Sequence, residues 1–182
     1  MLTHLKLDNF KIWRTTRPLR LAPLTLLLGT NSSGKSSLIQ SLLLIRQTVK
    51  SDDPNLDLNL GNPDNDSSKP DSVTLGQFQD VLCRNASTSP STPHTQFGIE
   101  FRWTDESDGT NSSVFSARYR KGRGNGAELD YLRLGKETSQ FIVERKKPGI
   151  YRLWLNESRS EGQSPDFRPE RSFAFSAATL NK

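Results

Sequence analysis

Gly29, Gly34, Lys35 and Ser36 stand at the fixed places of the pattern G-x-x-x-x-G-K-[ST], within the stretch GTNSSGKSS. Each residue type has a chemical reason. Two glycines let the main chain bend until successive N–H groups face inward, which makes a concave nest for an anion at a helix amino terminus, where the helix dipole also favours negative charge. Lys35 offers a mobile ammonium for the β and γ phosphates of a nucleotide. The Ser36 hydroxyl offers one ligand to a Mg2+ whose other positions are filled by water and phosphate oxygens. Thr30, Asn31, Ser32, Ser33 and Ser37 complete the loop. The bare pattern arises by chance in about one chain in a hundred of this length, so its flanks decide.

Those flanks are the ones a phosphate loop needs. Residues 24–28 are almost continuously apolar, as in a strand buried on both faces of a mainly parallel sheet. Behind the motif, Leu38, Leu42, Ile45 and Val49 recur at three- and four-residue spacing, which predicts an amphipathic helix from Lys35 to Val49. The motif thus joins strand to helix. Upstream, Leu5 and Leu7 alternate with polar residues, and with Leu19 and Leu21 they predict a β-hairpin. Residues 51–72 are rich in Pro, Asn, Asp and Ser and read as a long polar insertion. After a short segment, TLGQFQDVLCR, and a second polar stretch, NASTSPSTPHT, the period changes to two. QFGIEFRW, SVFSARYRK, AELDYLRLG, SQFIVERK and GIYRLWL read as an antiparallel meander. The expected division is a nucleotide-binding lobe over 1–84, a β subdomain over 96–155 and an unassigned tail over 156–182.

The 182 residues, 32% of them hydrophobic, suffice for one ordinary core. No apolar run approaches the ~20 residues that a membrane helix needs. A single cysteine, Cys83, rules out an internal disulfide and suits a reducing cytosol, so a cytoplasmic protein without membrane contact is expected. His4, His94 and Cys83 have no metal-ligand spacing. A net charge of +5 is compatible with a nucleic-acid partner and does not require one.

The first fifty residues resemble the amino-terminal lobe of ABC-type ATPases in the AAA class, related to structural-maintenance-of-chromosomes proteins, RecF and the overcoming-lysogenization-defect nucleases. The resemblance lies in Asn9, Phe10 and Lys11 at the end of the opening strand, and in Gly29, Asn31, Gly34, Lys35, Ser36 and Ser37. Ser32 stands where many members carry glycine. The resemblance implies an α/β P-loop nucleoside triphosphate hydrolase fold of ABC type, a mixed sheet around the P-loop helix with an antiparallel β subdomain beside it. It implies ATP and Mg2+ as cofactors. It also places Asn9 and Lys11 beside the nucleotide, with Lys11 near phosphate or base, although Phe10 as core packing and Lys11 as a solvated residue would read equally well. A metal-touching glutamine after the first helix falls on Gln77 or Gln79, with Gln77 preferred.

Hydrolysis needs more than a cradle. A carboxylate at the end of a second apolar strand should hold Mg2+, and an adjacent Glu should polarise water. No run of four apolar residues followed by Asp-Glu occurs; Glu144 in FIVERK sits in a hairpin strand, and SEGQS (160–164) has no flanking helix to make it a signature motif. The expectation is therefore the ATP-binding amino-terminal portion of a larger ATPase acting in DNA repair or anti-phage defence, inactive alone, with a second copy or partner chain supplying the signature motif. Two alternatives stand beside it. One is a module that senses nucleotide without cleaving it. The other is a basic DNA-binding β domain using Arg118, Arg120, Lys121 and Arg123.

Overall fold

The computed structural model describes residues 1–51, 56–61, 73–84, 95–104, 112–122, 126–136 and 138–156. Strand β1, Leu2–Phe10, buries Leu5 and Leu7 on one face and is the spine of the fold. Two short strands, β2 (Trp13–Thr15) and β3 (Leu19–Arg20), fold back against it, pairing Phe10 with Trp13 and Leu5 with Leu19. Helix α1 spans Lys35–Val49 and the single turn α2 spans Phe78–Val81. Strand β4 (Gln96–Thr104) then pairs antiparallel with the other side of β1, setting Leu7 opposite Ile99. Strands β5 (Ser112–Lys121), β6 (Ala127–Lys136), β7 (Ser139–Lys147) and β8 (Ile150–Leu155) continue as a meander. The sheet order is β2-β1-β4-β5-β6-β7-β8, with β3 also on β1. The amino-terminal lobe and the meander thus share one sheet.

Alternation along these strands sends one residue in two to a common apolar face. Phe97 is its centre, with ring centroids 5.7 Å from Phe10, 5.4 Å from Phe78 and 5.5 Å from Tyr119. Leu58, Leu60, Leu75 and Phe78 join the same cluster from the segments after α1, as do Leu38 and Leu44 of α1 itself. The helix is tied to those segments by Gln47. Its Nε2 donates to the carbonyls of Asn59 (2.5 Å) and Val73 (3.0 Å), and its Oε1 accepts the Val73 N–H at 2.8 Å. The part of the polar insertion that is described, 56–61, is therefore core: Leu58 is 1% exposed and bridges to Ala127. Beside it, Asp57 accepts the Leu129 N–H at 2.8 Å and the Tyr151 hydroxyl at 3.3 Å.

The sheet corrects the expected fold class. Among the described residues every strand pairing is antiparallel and the helices are two, so an α/β P-loop hydrolase fold with a mixed sheet wound around the phosphate-loop helix is not this architecture. The residue that should anchor such a sheet is out of place. Residues 24–28 form no strand, and Leu24, Leu26 and Leu28 are 80%, 75% and 88% exposed. A run buried on both faces requires layers packed against both faces of its sheet, and no such layers cover these leucines among the described residues. His94, Arg123, residues 160–164 and the tail from 157 onward lie outside the described residues.

Candidate phosphate-binding site

Residues 29–37 turn tightly into α1. Gly34 is the N-cap with φ 91° and Ser32 has φ 64°, both in the left-handed region, where glycine is at ease and serine is rare. A Cβ on Gly34 would lie 2.6 Å from Ile12 Cγ2 and 2.8 Å from Trp13 Nε1, so the glycine is required by space as well as by dihedral. The Trp13 indole N–H donates to the Gly34 carbonyl at 3.2 Å, clamping the turn to β2. Helix α1 has no side-chain cap and no acidic residue in its first turn. Its leading N–H groups thus have no side-chain cap, with the positive end of the helix dipole behind them.

The Lys35 ammonium lies within this turn. It donates to the carbonyls of Gly29 (2.7 Å) and Thr30 (2.6 Å) and reaches Ser33 Oγ at 3.3 Å. The loop's own oxygens therefore hold the cation at the mouth of the helix. Asn31, Ser32, Ser33, Gly34, Lys35, Ser36 and Ser37 form one wall of a cleft of ≈ 560 Å³, within the ~300–1,000 Å³ usual for small-molecule sites.

The opposite wall is the end of β1 and the stretch after α2. The Lys11 N–H donates to the Val81 carbonyl at 2.6 Å, the Cys83 N–H reaches the Asn9 carbonyl at 3.2 Å, and Phe10 bridges to Leu82. Lys11, Ile12, Asp80, Leu82, Cys83 and Arg84 line the cleft from this side. Three cationic side chains, Lys11, Lys35 and Arg84, face one carboxylate there, a balance that favours a polyanion. Burial pushes the Lys11 ammonium below its ordinary value; Asp80 partly restores it and Arg84 lowers it further. Its Nζ donates to the Leu75 carbonyl at 3.4 Å.

No protein family, curated protein or solved structure matches this chain. The site is read from its own geometry.

Of the residues expected at a nucleotide, the fold brings Lys11 together with 31–37, while the Gly29 and Thr30 carbonyls grip Lys35 from behind. Asn9 is elsewhere: it is 3% exposed, and its amide ties the Gln96 carbonyl to the Cys83 N–H. It builds the wall instead of lining it. Gln77 caps α2 on the exposed side and is not among the lining residues, nor is Gln79. Asp80 and Arg84 also line the cleft, and neither is among the residues expected from the sequence. Nothing in their residue types marks them, since an Asp and an Arg in a short polar segment read as solvated.

On the sheet, the Arg118 guanidinium lies 4.6 Å from the Tyr131 ring centroid and Arg120 pairs with Asp130 at 3.7 Å. Lys121 is exposed at the strand end. Among the described residues no group of three or more His, Cys, Asp or Glu could hold a metal, and no helix is long and apolar enough to cross a membrane.

Proposed function

We propose that this chain binds the triphosphate of a nucleotide, ATP together with Mg2+, in the cleft between 31–37 and the Lys11 wall. One observation carries the reading: an uncapped helix amino terminus, a lysine ammonium and two further cations converge on one cleft of ≈ 560 Å³. The donor set fits phosphate. The first-turn N–H groups of α1 bind the anion, Lys35 exchanges its loop carbonyls for phosphate oxygens, and Lys11 and Arg84 neutralise charge from the other side. Mg2+ supplies charge neutralisation between phosphate oxygens, and the Ser36 hydroxyl is the loop's group for it. The resemblance of the first fifty residues favours ATP over other nucleotides at the level of the motif, and a second subunit as the source of hydrolytic groups. The DNA-binding reading draws less support, since Arg118 and Arg120 are engaged with Tyr131 and Asp130.

Calorimetric titration of the full chain with ATP and Mg2+ tests this. Saturable uptake is expected, and Lys35→Ala should weaken it roughly tenfold to a hundredfold, the worth of a hydrogen bond to a charged group at about 1.5–3 kcal/mol. Absence of uptake by folded wild type would overturn the reading.

A further inference from the structure

We propose that Asp80 is the carboxylate that meets the metal brought in by the bound triphosphate, completing across the cleft the coordination that Ser36 begins. This rests on the nucleotide reading and adds to it the acidic group that no Asp-Glu strand end supplies. Four observations place the role on Asp80. It lines the same cleft as Ser36 and Lys35, from the opposite wall. Its wall is fixed to the end of β1 by the Lys11–Val81 and Cys83–Asn9 hydrogen bonds, so the carboxylate is held by backbone and not by a free loop. Its Oδ2 accepts the Gln77 N–H at 2.9 Å, while Oδ1 takes no hydrogen bond and Asp80 makes no ion pair within 4.0 Å among the described residues. Finally, Gly76 has φ 82°, and a Cβ there would lie 2.6 Å from Asp80 Oδ2; the glycine leaves the carboxylate its position.

Electrostatics bears on the role as well. A negative side chain lining a polyanion site repels its ligand unless cations offset it, and Lys11, which lies in the field of Asp80, offsets part of that charge. A divalent metal carried by the triphosphate would offset the rest, with the Asp80 carboxylate and the Ser36 hydroxyl as the chain's groups for it. Among the described residues no group of three or more His, Cys, Asp or Glu could hold a metal by itself, so the proposal assigns the metal to the nucleotide.

The experiment is calorimetry on the full chain with ATP in chelator and ATP with Mg2+, for wild type and Asp80→Asn, whose amide oxygen still accepts the Gln77 N–H. Wild type should bind tighter with Mg2+ by about tenfold or more, and Asp80→Asn should lose most of that gain while binding metal-free ATP as well or better. Equal Mg2+ dependence in the two proteins overturns the proposal and leaves nucleotide binding standing; no ATP uptake by wild type overturns both. A second arm needs no variant. Wild type carrying carboxyl-13C aspartate, loaded with Mn2+ and ATP, should show a 13C hyperfine coupling by electron–nuclear double resonance, and Mn2+ without nucleotide should show none. A Mn2+–ATP complex without that coupling also overturns it.

Discussion

Lys35 and Asp57 show how single residues carry opposite histories of charge. Lys35 donates to loop carbonyls, and its substitution is expected to act on ligand affinity. Asp57 is a carboxylate drawn into the core beside Tyr151, and burial raises its pKa, opposed by the Leu129 N–H and added to by Glu128. A raised carboxyl pKa means that the folded chain holds the proton more tightly than the unfolded one. Stability therefore falls as pH rises through the window that opens above the ordinary value of 3.8. Asp57→Asn keeps an oxygen for Leu129 and Tyr151 without the charge. A higher melting temperature than wild type is expected at neutral pH, with the difference vanishing below pH 3.8; thermal unfolding at both values checks this, and a gain of equal size at both would exclude titration of Asp57 as its source. Neither the burial of Asp57 nor the presence of Asp80 in the cleft was legible from residue type. An Asp in a Pro- and Asn-rich stretch reads as solvated, and only the docking of Leu58 and Leu60 beside it reverses that.

Among the elements, α1 and the meander strands follow directly from period. Apolar residues at three- and four-residue spacing place the helix at Lys35–Val49, and alternation places all five later strands within a residue or two of where they lie. Those signals are local, because a helix satisfies its own backbone and a hairpin strand pairs with its neighbour in sequence. The attachment of α1 to the rest is not local and depends on a polar residue. Gln47 alone satisfies three backbone groups of the segments it holds, at Asn59 and Val73. Gln47→Leu leaves these buried groups unpaired at about 1–3 kcal/mol for each one that water cannot reach. A loss of about 3 kcal/mol is expected in urea unfolding. A loss below about 0.5 kcal/mol, typical of a surface change, would show that the segments hold their place without it.

At the scale of the whole molecule, residues 24–28 mark where sequence reasoning fails for a definite reason. An apolar run of strand length reports that the segment resists water, while whether it becomes a strand depends on edges offered by other parts of the chain. Here β1 has its partners, and Leu24, Leu26 and Leu28 remain outside the sheet in solvent. Exposed consecutive leucines favour association. Replacing all three with serine should lower the sedimentation coefficient measured at high concentration toward that of a monomer. The free energy of unfolding should move by no more than about 0.5 kcal/mol per site, because little buried area is removed. A large loss of stability would mean that these leucines are covered in solution.

The indole of Trp13 is bonded to the carbonyl that opens α1, whereas the chain's other two tryptophans, Trp103 and Trp154, sit in strands β4 and β8. The protein therefore carries a reporter wired to the turn proposed to bind phosphate: displacement of the Lys35 ammonium by phosphate should perturb the field at one fluorophore out of three. Emission should shift on adding ATP and Mg2+, lose that response in Trp13→Phe, and keep it in Trp154→Phe, giving an optical titration that needs no label.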